Sequence, residues 1–161
     1  MKKIAFLFLL ITSVSFAQLP SYVPTDSLVG WWPFCGNAND YSGNGNNGTV
    51  NGASLTIDRF GNADGAFDFN GSGDGINCGQ QPILNNVAEL TISLWLLADA
   101  TNNYRKWVTK NIPTQQTGFG VQGSQGNFGV RMRNNINGYG NTDTSTFNTG
   151  VWYHVVMVFN G

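Results

Sequence analysis

Charge is what this 161-residue chain most lacks: Asp, Glu, Lys and Arg together make up 11% of it, eight basic against nine acidic. No cluster of basic residues occurs along the chain, so a phosphate backbone finds no footprint and no nucleic-acid partner is expected. Glutamate is nearly absent. Glu89 is the only one, and hydrolysis of a glycoside by the two-carboxylate route needs a close pair of acids. No aspartate pair faces one side of a predicted strand, so an enzyme is not expected. Histidine is equally scarce: His154 stands alone, without partners for a triad or a zinc site, and is expected to be a packed or hydrogen-bonded strand residue. No apolar run is long enough to cross a bilayer, which argues against membrane insertion. Helical periodicity of ordinary length is missing too.

The one long apolar stretch lies at the N-terminus, IAFLFLLITSV after Lys2 and Lys3, followed by Ser15-Phe16-Ala17. This is the pattern of a secretory signal covering residues 1–17, with cleavage expected after Ala17 and a secreted or cell-surface location. The remaining 144 residues carry six basic and nine acidic side chains, a length that suits one domain. Cys35 and Cys78 are the only cysteines. In an oxidising compartment such a pair is expected as a disulfide, the alternative being two buried thiols.

What the chain has in abundance is glycine, amides and aromatics. Residues 18–27 hold Pro20 and Pro24 and read as an extended leader. From Leu28 the run LVGWWPF carries so much apolar area that it is expected as a core strand. It breaks into DYSGNGNNG, where Asp40, Ser42, Asn44 and Asn46 place an oxygen at every second position and Gly45 supplies the turn. These are positions one, three, five, seven and six of a calcium loop of the EF-hand kind, although the twelfth is Asn51 rather than Glu and no helices flank it. A weak calcium site, joined by Asp74 or another distant acid, and a turn bonded to its own amides are both open readings. Downstream, Ala53 to Ile57, Ala66 to Asn70, Ile76 to Cys78, Lys106 to Thr109, Gly118 to Val121, Asn127 to Arg133 and Val151 to Phe159 read as strands. LTISLWLL, from Leu90, is apolar on both faces and is expected to be a central strand. Gln80 to Val87 is weakly structured, with room for one helical turn. The last strand runs straight into Asn160-Gly161, which predicts that further strands follow.

Four stretches resemble one family: Leu28 to Phe34 with Asp40 to Thr49, Ala66 to Gly71, Leu90 to Trp95, and Trp152 to Val156. They are similar to the LamG-like domain of the concanavalin A-like lectin/glucanase superfamily. The resemblance implies an all-β antiparallel jelly-roll β-sandwich over residues 28–161, incomplete at its C-terminus, with a calcium site in its loops. It also implies a role in binding extracellular glycan or protein, as one module of a larger secreted or cell-surface polypeptide. The catalytic strand of glucanases in that superfamily resembles Glu-x-Asp-x-x-Glu, a pattern this chain lacks.

For binding, aromatics beside polar loops offer flat faces to sugar rings and amides give directional hydrogen bonds. Tyr104, Trp107 and Tyr139, with Arg131 and Arg133 on an exposed strand face, are the candidate ligand residues. Asp40, Ser42, Asn44, Asn46 and Asp74 are the candidate calcium ligands. Alternatives to a recognition module are a structural spacer and an accessory domain attached to a glycoside hydrolase.

Overall fold

The computed structural model describes residues 19–85, 87–101, 104–112, 117–134, 138–141 and 145–160, with backbone alone at 111–112, 117, 132–134 and 138–141. The expected signal sequence lies outside the described residues. Every strand pair among them is antiparallel and there is no α-helix, only a 3₁₀ turn at Pro82–Leu84. This is the all-β class that the alternating apolar residues predict. The chain divides into two compact units, Met1–Gly79 and Gln80–Gly161.

The first unit has four strands of three residues, β1 (Thr49–Asn51), β2 (Ser54–Thr56), β3 (Ala66–Asp68) and β4 (Gly75–Asn77). β1 pairs with β4 and β2 with β3. Among its described residues only Ala38 is a buried hydrophobic residue. Phe34 meets Phe67 edge-on at 5.4 Å.

The aromatic run from Leu28 to Phe34 is not a strand, contrary to its composition. Its backbone is taken by the loop that follows. Asn44 Nδ2 donates to Leu28 O at 2.6 Å, Asn46 Nδ2 donates to Val29 O at 2.7 Å, and Trp31 N donates to Asp40 Oδ1 at 2.9 Å. Short polar side chains compete with a strand ladder for the same groups, and here they win. Trp32 folds its ring over Gly30, where any Cβ would overlap it.

The second unit holds β5 (Glu89–Leu97), β6 (Arg105–Ile112), β7 (Thr117–Ser124), β8 (Asn127–Asn134), β9 (Gly138–Asn141) and β10 (Trp152–Asn160). β6 to β9 form a four-stranded meander, while β5 and β10 pair along nine residues each. Two layers face each other. Leu96, Ala98, Phe128 and Phe147 form one core cluster, and Phe119, Val121 and Met157 another, bridged by Leu94, Trp107 and Val155. Met157 and Val121 are the most completely buried of these side chains, at 2% and 1% exposure.

β5, expected to be a central strand, pairs among the described residues with β10 alone, and its outward Trp95 and Leu97 are exposed. Tyr139, expected in a loop, lies in β9. A bulge between Lys106 and Val108 lets Trp107 and Val108 both turn to the core. Gly123 makes room for that indole, since a Cβ there would lie 2.5 Å from Trp107.

Candidate functional site

The loop after the aromatic run is built around one carboxylate. Asp40 Oδ1 accepts from the backbone N–H of Trp31 and of Ser42, each at 2.9 Å, and Oδ2 accepts from Asn46 N at 2.9 Å. Ser42 Oγ accepts from Asn44 N and Nδ2. Asp40 N itself donates to Asn47 Oδ1. Burial pushes the Asp40 carboxyl up, but the bonds from Trp31, Ser42 and Asn46 outweigh it and hold it below its usual 3.8.

Calcium takes six to eight oxygens; this loop offers one carboxylate, both of whose oxygens already accept N–H bonds, so the charge available to a cation here is small. Asn44 and Asn46 turn their amide nitrogens to Leu28 and Val29. Asp74 accepts from Asn70 N at 2.8 Å and closes its own turn. Asp58 repeats the device, accepting from Phe60 N and Asn62 N at 2.8 and 2.9 Å. The self-bonded turn is therefore the arrangement present, three times over. No group of three or more His, Cys, Asp or Glu able to hold a metal occurs among the described residues.

Cys35 and Cys78 are not joined by a disulfide in the structure. Cys35 is exposed and its Sγ donates to Pro33 O at 3.7 Å. Burial, then the nearby Asp40 charge, raise the Cys78 thiol above its usual value.

The candidate ligand residues part company. Trp107 is a core residue, with ring contacts to Phe128 at 5.6 Å and Phe147 at 5.5 Å, and so is withdrawn from the site. Tyr104 is exposed just before β6. Arg131 falls on the outward face of the meander, because its neighbours Phe128 and Val130 point to the core. Arg133 and Tyr139 are register partners at the same outward parity; their side chains lie outside the described residues.

Register sets that outward face in three rows across the strands. Lys106, Gln122 and Gly129 make the first; Thr109, Gly120, Arg131 and Asn141 the second; Asn111, Gly118, Arg133 and Tyr139 the third. No aliphatic residue occurs in any of them. Each row has glycine at a middle strand, and Lys106 and Thr109 are exposed. Sequence reasoning found the two arginines and missed Lys106, Thr109 and Gln122. Their alternation with apolar residues is broken by the bulge at Trp107 and diluted by glycine, so no period shows.

His154 lies on the outward face of the β5–β10 pair. Its ring stacks on Trp95 at 5.0 Å and 19°, and its Nε2 is 2.8 Å from Ser93 Oγ. It is hydrogen-bonded, as expected, but exposed rather than packed. Glu89 is exposed at the start of β5 and pairs in register with Asn160. No helix among the described residues is long and apolar enough to cross a membrane.

No curated protein and no solved structure matches the chain. A laminin-G-like family model, described as the concanavalin A-like lectin/glucanases superfamily, matches residues 70–161. That span takes in all of the second unit and more than half of the chain. An all-β antiparallel structure with two facing layers agrees with the match, and the chain belongs to the concanavalin A-like lectin/glucanase superfamily.

Proposed function

We propose that the chain is an exported, non-catalytic recognition module, part of a larger polypeptide, that binds extracellular carbohydrate or a protein on the outward face of β6 to β9. The contrast between the two faces of that one sheet carries the reading. Its inner face is Phe119, Val121, Phe128 and Val130; its outer face is glycine, amide, hydroxyl and cation. A merely solvated face gains nothing from glycine, which weakens a strand. Glycine in a strand interior suits a place where a ligand approaches the backbone closely, and amide groups beside it match sugar hydroxyls. The lone Glu89 gives no carboxylate pair to support hydrolysis.

A glycan array of the full exported chain tests this. Binding that falls with Thr109→Ala and Gln122→Ala, while melting is unchanged, supports the reading; binding indifferent to both contradicts it.

A second reading, a spacer or adhesion module that contacts protein only, draws on the β5–β10 face. There Trp95, Leu97, Val156 and Val158 are exposed, at 46%, 41%, 50% and 69%. An apolar patch of that kind suits a protein partner. Binding of no glycan, with self-association reduced by Val158→Lys, favours it.

A further inference from the structure

We infer that Asn70 is a site of spontaneous self-modification, where the chain converts its own side-chain amide to an acid through a succinimide, a property separate from ligand recognition. An asparagine followed by glycine suits this chemistry, because no Cβ shields the backbone nitrogen that attacks. Six such steps occur in the sequence, beginning at Asn44, Asn47, Asn51, Asn70, Asn137 and Asn160. The last two lie partly outside the described residues. Asn70 differs from the other three. Its Oδ1 accepts from Ser72 N at 2.7 Å in an Asx-turn, which holds the side-chain carbonyl against the Gly71 peptide and puts an N–H donor on the oxygen that turns negative when Cγ is attacked. Among the described residues neither Gly71 N, the nucleophile, nor Asn70 Nδ2, the leaving group, makes a hydrogen bond. Asn70 is also exposed, so water reaches it.

The remaining Asn-Gly steps are each held back. Asn44 Nδ2 donates to Leu28 O at 2.6 Å and to Ser42 Oγ at 3.1 Å, which fixes its amide away from attack. At Asn47 the nucleophile is committed, since Gly48 N donates to Ala38 O at 2.7 Å. Asn51 lies in β1 in register with Gly75, and the ladder keeps its backbone extended. Asn37 and Asn77 make the same turn as Asn70, accepting from Asn39 N and Gly79 N, but Ala38 and Cys78 follow them. Among the described residues Asn70 alone joins the turn to a following glycine. In the first step Gly71 N loses its proton to hydroxide and bonds to Asn70 Cγ; the Cγ–Nδ2 bond breaks, and the nitrogen leaves as ammonia with a proton from water. Water then opens the ring at either carbonyl, giving an aspartyl or an isoaspartyl linkage, with nothing oxidised or reduced. Both products add a carboxylate to the turn that Asp74 closes on Asn70 N, where like charges repel. The isoaspartyl form also lengthens the backbone between β3 and β4, so the first unit loosens as the protein ages.

Peptide mapping by mass spectrometry tests this on the full chain, held in mildly alkaline buffer both folded and in urea. In the folded chain the Asn70 peptide should convert about tenfold faster than those of Asn44, Asn47 and Asn51, the rate equivalent of one hydrogen bond on the reacting carbonyl. In urea, which dissolves the turn, the four rates should converge. Asn70→Gln, which would have to close a larger ring, should show no conversion at that position and should melt alike fresh and aged, whereas the first unit of the aged parent should melt lower than that of the fresh one. The parent in its two states carries the test should the variant fold poorly. Conversion of Asn70 no faster than that of Asn47 in the folded chain would overturn the site. A lead that persists unchanged in urea would overturn the role of the turn, and conversion that leaves melting unmoved would overturn the loosening.

Discussion

The two compact units hold themselves together by different means. The described residues up to Gly79 have strands of three residues and one buried hydrophobic residue, Ala38, and their order comes from carboxylates, Asp40, Asp58 and Asp74, that cap turns. Residues from Gln80 onward have strands of up to nine residues over a core of Leu96, Phe119, Val121, Phe128, Phe147 and Met157. The lesson concerns what an amide-rich, charge-poor sequence can build. Where glycine and asparagine dominate, side chain to backbone bonds replace ladders; where apolar residues alternate, ladders and a core form and leave one sheet face available for polar groups.

The largest expected break is in the second unit. Phe128→Ala should cost about 3–5 kcal/mol and Met157→Ala about 2–5 kcal/mol, seen as lost cooperativity in thermal melting of that unit. Both losses should be independent of pH, since no charge is involved. Gly123→Ala should destabilise the same core by driving Trp107 from its place, and a smaller residue at 107 should relieve it.

In the first unit Asp40→Asn should cost about 1–3 kcal/mol. An amide has one acceptor oxygen, so one of the N–H groups of Trp31, Ser42 and Asn46 would face a donor. The pH dependence follows from the lowered Asp40 carboxyl. A group whose value is depressed on folding stabilises above its unfolded value, here about 3.8, and that contribution is lost as pH falls through the lowered one. Asp58, also held below its usual value, first by its bond from Asn62, acts in the same direction. Amide signals of Trp31, Ser42 and Asn46 in two-dimensional NMR should therefore disperse normally at pH 6 and collapse under acid before those of β5 to β10. Simultaneous loss of both sets would erase the contrast between units.

The smallest expected effect is that of calcium. Melting of the first unit should not move on adding millimolar calcium or a chelator, because the Asp40 oxygens are already satisfied from within. A rise in melting temperature with calcium would show that the loop reorganises to offer oxygens instead.

The strands of the second unit were legible because their apolar alternation is strong: Ile92, Leu94 and Leu96, or Phe128 and Val130, point one way and meet a core. The role of LVGWWPF was not. Its composition says strand, but the competitor lies nine to seventeen residues away, in Asp40, Asn44 and Asn46, and composition carries no information on which acceptor wins. Asp40 to Asn46 could be read as a loop but not as closed, since a carboxylate that caps amides and one that holds a cation occupy the same sequence positions. Trp107 was misplaced because a bulge breaks the alternation that would have turned it outward. The polar face escaped for a related reason: Lys106 and Arg131 are 25 residues apart in the chain and come to adjacent rows of one face only through the register of β6, β7 and β8.

Hydroxyl-radical footprinting of the full chain with and without a bound glycan tests the proposed recognition face most directly. Protection is expected at the β6–β9 strands, with Trp95 and His154 on the β5–β10 face as reactive bound as free. Protection of Trp95 and His154, with the meander unchanged, would contradict the account and move the binding surface to the other layer.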